Sequence, residues 1–89
     1  MREGRYQLKL FKIPLLLTPQ PEGGYTVTSP VLPELVTEGD TIEEVLDHVR
    51  DALDAVVEIY EDLGKRLPAG LGMDPKESPI WFEGLVARP

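Results

Sequence analysis

Apolar and polar residues alternate from Arg5 to Leu10: Tyr6, Leu8 and Leu10 are apolar, while Arg5, Gln7 and Lys9 are polar. A period of two predicts a strand with one wet face. The pattern then thickens. Phe11, Ile13, Leu15, Leu16 and Leu17 form a run dense enough to predict a continuation covered on both faces. Pro14 lies inside it and cannot donate to a ladder, which predicts an edge position, a bulge or a break between two strands. The segment Thr18 to Gly24, TPQPEGG, supplies the prolines and paired glycines of a turn. Tyr25, Val27 and Ser29 then alternate with Thr26 and Thr28 as a second strand, and so short a connection predicts an antiparallel hairpin.

Pro30 and Pro33 interrupt the regular pattern, leaving Leu32, Leu35 and Val36 to point inward from an irregular stretch or a short third strand. The next element is the most legible one. Asp40 or Thr41 can cap a helix, and each has a glutamate three residues on, Glu43 and Glu44, the spacing of a capping box. From Ile42, apolar residues recur at Val45, Leu46, Val49, Ala52, Leu53, Val56, Val57, Tyr60 and Leu63, the spacing of a long amphipathic helix. Gly64 supplies a stop, with Lys65 and Arg66 placed to meet the helix dipole and Pro68 just beyond. Leu67 to Ser78 reads as a glycine- and proline-rich loop, and Ile80 to Ala87 (IWFEGLVA) as a last strand with Gly84 as a bulge. The class is therefore α+β: a small antiparallel sheet of about three to four strands with one long helix packed on one face.

Length and composition narrow the picture. At 89 residues the chain predicts a single domain over 1–89. A chain of this size buries only about 60–65% of its unfolded surface, so the core is thin. With no cysteine, disulfides and cysteine-ligated zinc are unavailable to reinforce it, and association of copies becomes the expected support. The formal charge of −7 argues against phosphate-driven nucleic-acid binding. It fits either plain solubility or an acidic surface for a basic partner. The longest apolar run, Ile13 to Leu17, contains Pro14 and is too short for a signal peptide or a membrane span, so a cytoplasmic location without membrane contact is expected.

Candidate chemistry concentrates on the helix. Asp47, Asp51, Asp54, Glu58 and Glu61 follow one another at three- and four-residue steps and share one stripe, with Arg50 the only base in the helix interior. Like charges at those spacings cost roughly 0.2–0.5 kcal/mol per pair. A solvated face explains such a stripe; so does a docking surface whose basic partner relieves the repulsion and speeds encounter. The candidate contacts are Asp47, Asp51, Asp54 and Glu58, with Glu34 and Glu38 in the stretch from Pro30 to Asp40.

His48, the only histidine, lies between the apolar face and acidic neighbours, as a residue needing one hydrogen bond would. A catalytic or metal-binding histidine would need a nucleophile or converging ligands that the chain does not offer. A two-metal nuclease would need carboxylates projecting together from strands and helix. The strands Arg5–Leu17 and Tyr25–Ser29 contain none, Glu34, Glu38 and Asp40 lie in the irregular segment, and Glu83 stands alone. No catalytic residue, metal or cofactor is expected. Trp81 and Phe82, adjacent in a strand, would face opposite sides, one in the core and the other either at a subunit contact, the favoured reading, or exposed as an interaction spot.

The run GGYTVTSPVLPELVTEGDTIEEVLDHVRDALDAVVEIY resembles the N-terminal domain of HicB-family antitoxins. Gly24, Tyr25, Pro30, Leu32, Pro33, Thr37, Gly39, Asp40, Thr41, Glu43 and Glu44 carry the likeness: a glycine-tyrosine strand, a proline turn, and a Gly-Asp-Thr cap opening an acidic helix. Ser29, Val31 and Glu34-Leu35 depart from a pattern that has an aromatic, an acid and Gly-Cys there. The resemblance implies a reduced ribonuclease H-like fold without its active carboxylates. It also implies a small basic ribonuclease toxin, HicA, as the partner whose active site is covered. The chain leaves no room for the C-terminal DNA-binding domain of many members, so a solo version that does not bind DNA directly is expected. An orphan that keeps the fold and subunit interface without a toxin is the alternative, and a residual metal nuclease a third reading.

Overall fold

The computed structural model describes residues 10–73, 79–81 and 83–89. The strand expected over Arg5–Leu17 is two strands: β1 (Leu10–Phe11) and β2 (Leu16–Pro19), separated at Pro14, with residues 5–9 outside the described part. β2 pairs with β3 (Tyr25–Thr28), and β3 with β4 (Val36–Gly39), in an antiparallel meander of order β2-β3-β4. Helix α1 (Ile42–Asp62) follows, and β5 (Gly72–Met73) returns to pair with β1 as a separate two-stranded ladder. The fold is α+β, as expected. β5 corrects the reading of Leu67–Ser78 as loop throughout: Lys12 N–H donates to Leu71 C=O at 2.7 Å beside this short pairing.

The register explains the placement of the edge proline. Gln20 N–H donates to Gly24 C=O at 3.0 Å, closing the hairpin. Hydrogen-bonded and non-hydrogen-bonded pairs alternate along an antiparallel ladder. Counting back from Gln20, Thr18 and Leu16 bond to β3, while Leu17 and Pro19 turn their backbone groups to the free edge. Pro19 therefore lacks an N–H where β3 needs none. The same alternation points the backbone groups of Glu38 away from β3.

The two further prolines lie in the link from β3 to β4. Ser29, buried, accepts from Val31 N–H through Oγ at 3.3 Å, and Leu35 N–H donates to Leu32 C=O at 2.9 Å across a turn containing Pro33. This link sends Leu32 and Leu35 fully inside, where they pack with Val56, Tyr60 and Leu71; Ile13, Leu15, Val49, Ala52, Leu53 and Leu67 close around them. Val36, expected to point inward, faces out at 63% exposure, because strand alternation from buried Leu35 sends the next side chain to the other face. The doubly covered run is also corrected: Ile13, Leu15 and Leu17 are half-buried, but Leu16 is 60% exposed.

Thr41, not Asp40, is the N-cap. Its Oγ1 accepts from Glu44 N–H at 3.1 Å, while Glu44 Oε1 reaches one residue further back than a standard capping box, to Asp40 N–H at 2.9 Å. The helix packs chiefly over β4. It can do so closely because of Gly39: a Cβ there would sit 2.8 Å from Val45 N and 3.0 Å from Val45 Cγ2. At the other end, Gly64 takes φ +67°, with its N–H on Glu61 C=O and Lys65 N–H on Tyr60 C=O, a Schellman closure. Lys65 and Arg66 lie past the last turn rather than in it, and Lys65 Nζ rests over the Tyr60 ring, 5.0 Å from its centre.

The last strand is the clearest departure. The described residues of Ile80–Ala87 pair with no strand, and Ile80, Trp81, Leu85 and Val86 are exposed. Trp81, at 93% exposure, is not a core residue; Phe82 lies outside the described part. A strand exists only where an edge receives its backbone groups, and among the described residues none does so for 80, 81 or 83–87.

Candidate functional site: the outer face of α1

The buried side of α1 is Val45, Val56 and Tyr60, so the opposite side faces solvent along the whole helix. Asp47, Asp51, Asp54, Glu58 and Glu61 are all exposed there and extend about 21 Å at 1.5 Å per residue. Arg50 Nη2 lies 3.6 Å from Asp47 Oδ1, a solvent-exposed pair of little energetic weight. Across Ile42–Asp62 there are eight carboxylates and one arginine, so α1 alone carries the whole formal charge of −7; the other 68 residues hold eight acids and eight bases.

The other predicted contacts are not in that stripe. Glu34 Oε1 accepts from Tyr60 Oη at 2.9 Å, holding the link from β3 to β4 against the helix. That bond, with desolvation of the hydroxyl, raises the Tyr60 pKa above its ordinary value. Glu38 lies on the outer sheet face, across from Thr26.

Its main-chain carbonyl meets His48 Nδ1 at 2.6 Å, the single bond the sequence led us to expect for this residue. The Glu38 carbonyl is the main reason the His48 pKa is raised above 6.5; desolvation, the next largest effect, opposes it, and Glu44, Asp51 and Asp47 each add a smaller push upward. This bond also fastens α1 to the outer edge of β4.

Sequence reasoning missed an open depression at the hairpin end, where Gln20, Glu22, Glu38, Asp40, Glu44 and His48 converge. The register Tyr25↔Gly39 creates it, by setting the hairpin turn beside the start of α1. No local motif encodes that register. Among the described residues no group of three or more His, Asp or Glu side chains could hold a metal ion, and no helix is long and apolar enough to cross a membrane.

A three-stranded meander backed by one acid-faced helix makes up the described α+β fold. No protein-family model matches the chain. It is 38% identical over 78 residues to Antitoxin HicB 1 of Photorhabdus laumondii, covering 85% of this chain and 50% of that relative. It is 37% identical over 57 residues to Antitoxin HicB of Escherichia coli K12, covering 64% of this chain and 41% of the relative; the Escherichia coli O157:H7 protein gives the same figures. The protein is HicB-like. The chain spans about half the length of the curated relatives it matches.

Proposed function

We propose that the chain is an antitoxin-type binding protein that acts in the cytoplasm, in an oligomer, and without catalysis of its own. Its partner is a small basic protein of the HicA-like ribonuclease kind. The observation that carries this reading is the concentration of the whole formal charge on α1, with one loose ion pair to relieve it. A basic partner brings opposite charge to that face and is steered toward it before contact. Asp47, Asp51, Asp54 and Glu58 contribute that steering, and the likeness to HicB antitoxins supports the type of partner.

The test begins with the tagged chain purified at low salt from its own cells. A stoichiometric small basic protein, released as salt rises, is expected, and adding the purified chain back should suppress its cleavage of RNA. Reversing Asp47 and Asp51 to lysine should slow association about tenfold or more. Binding indifferent to both salt and reversal overturns the assignment of the site. Absence of any basic partner overturns the antitoxin reading itself.

A further inference from the structure

His48 stands where the acidic face of α1 meets the sheet. It borders the stripe, beside Asp47 and one helical turn from Glu44 and Asp51. Its Nδ1 meets the Glu38 carbonyl at 2.6 Å. A carbonyl only accepts, so Nδ1 keeps its hydrogen whether the ring is neutral or charged, and the proton that comes and goes is the one on Nε2. The bond to β4 also fixes the ring, so its charge cannot swing away from the face as that of a long lysine would.

The charged groups around this ring are acids. Glu44, Asp47 and Asp51 act on it from α1. Glu38 of β4, Asp40 at the start of the helix and Glu22 of the hairpin turn line the open depression with it, beside Gln20 and Tyr25, and among the described residues no base lines that depression. Arg50, two residues on, is placed against Asp47.

We propose that His48 gates the docking face of α1 by pH: charged, its ring competes for the carboxylates that a basic partner would use, and neutral, it leaves them at full strength. This rests on the reading of that face as the surface for a basic protein, and adds to it a control by proton concentration. Eight carboxylates against one arginine leave α1 at −7, and the imidazolium makes that −6. The Glu38 carbonyl and the neighbouring acids hold the ring's pKa above 6.5, so the ring is charged below the folded value and neutral above it. Affinity for a basic partner therefore rises as pH climbs through that value, and a proton leaves as the partner arrives. The proton that strengthens the join of α1 to β4 is the one that weakens docking.

The probe is an acetylated oligolysine peptide, added at low salt to the full chain without a tag. The chain has a single histidine, so its ring signals in a magnetic-resonance titration are unambiguous. Saturating probe should lower the midpoint of the His48 titration. Probe affinity should rise about twofold to fivefold between about pH 5.5 and about pH 8.5, the scale of one exposed ion pair. His48→Gln, which cannot take up the proton, should hold the high-pH affinity throughout, and His48→Lys, permanently charged, the low-pH affinity. An unmoved midpoint overturns the proposal, and so does a pH slope that survives His48→Gln. Should either variant fail to fold by helical circular dichroism, the wild-type midpoint alone decides. Reversing Asp47 and Asp51 to lysine separates the gate from the face. A wild-type chain that binds no probe, or a reversal that leaves binding unchanged, overturns the face and the gate with it. A reversal that weakens binding, with the midpoint unmoved, overturns the gate alone.

Discussion

The link from β3 to β4 and the segment 79–89 have similar ingredients: proline, glutamate and a few large apolar residues. They end up in opposite conditions. Leu32 and Leu35 are fully buried, while Trp81 is 93% exposed. The difference lies in what stands opposite. The link is pinned at both ends to adjacent strands, and its turn faces Val56 and Tyr60 of the helix. The segment 79–89 follows the last paired strand, and its described residues meet no surface that closes over them. Apolar character states that a residue gains by burial; it does not state which surface provides it.

That contrast can be broken most forcefully at Leu35. Leu35→Ala should destabilise by about 2–5 kcal/mol, a large share of the stability of so small a chain, and should lower the urea midpoint steeply. The matching change Trp81→Ala should leave the stability of the single chain within about 0.5 kcal/mol. Equal losses from the two would mean that Trp81 is packed in the single chain after all.

A smaller effect sharpens the same point where α1 joins the sheet. Gly39→Ala forces a methyl group against the backbone of Val45, which cannot swing aside as a side chain would, and should cost about 1–3 kcal/mol. An unchanged thermal midpoint would show that the start of α1 is free to shift.

The smallest effect is the pH response of His48. Its pKa is raised in the folded chain, so its contribution to stability is fully present below about pH 6.5, the ordinary value, and fades as pH rises through the folded value. A proton-detected titration of the ring should find the midpoint above about 6.5. A midpoint at or below it would mean that the Glu38 carbonyl does not hold the ring in solution.

The helix was the most legible part of the sequence, because its signals agree at every level. The 3.6-residue apolar spacing from Val45 to Tyr60, the Thr41 cap with Glu44, and the stop at Gly64 all mark the same element. The hairpin was legible for the same reason, from alternation and a turn of proline and glycine. The acidic stripe followed directly from the helix. What escaped was non-local. β5 is two residues paired with a strand some sixty positions earlier, inside a glycine-rich stretch that carries no strand signal of its own. The depression at the hairpin end depends on the register between Tyr25 and Gly39, and the expected strand at 80–87 depends on a pairing that none of its described residues makes. Periodicity reports which face of an element is apolar, but not the neighbour to which that face turns.

The crowding of eight carboxylates and one arginine on α1 also gives the protein an electric dipole. The helix is heavily negative, whereas residues 10–40 carry four carboxylates and one lysine, so an external field exerts a torque as well as a pull. Near any positively charged surface the molecule turns helix-first before it touches. It should adsorb to an anion-exchange matrix by one face, leaving the free edge of β2 in solution.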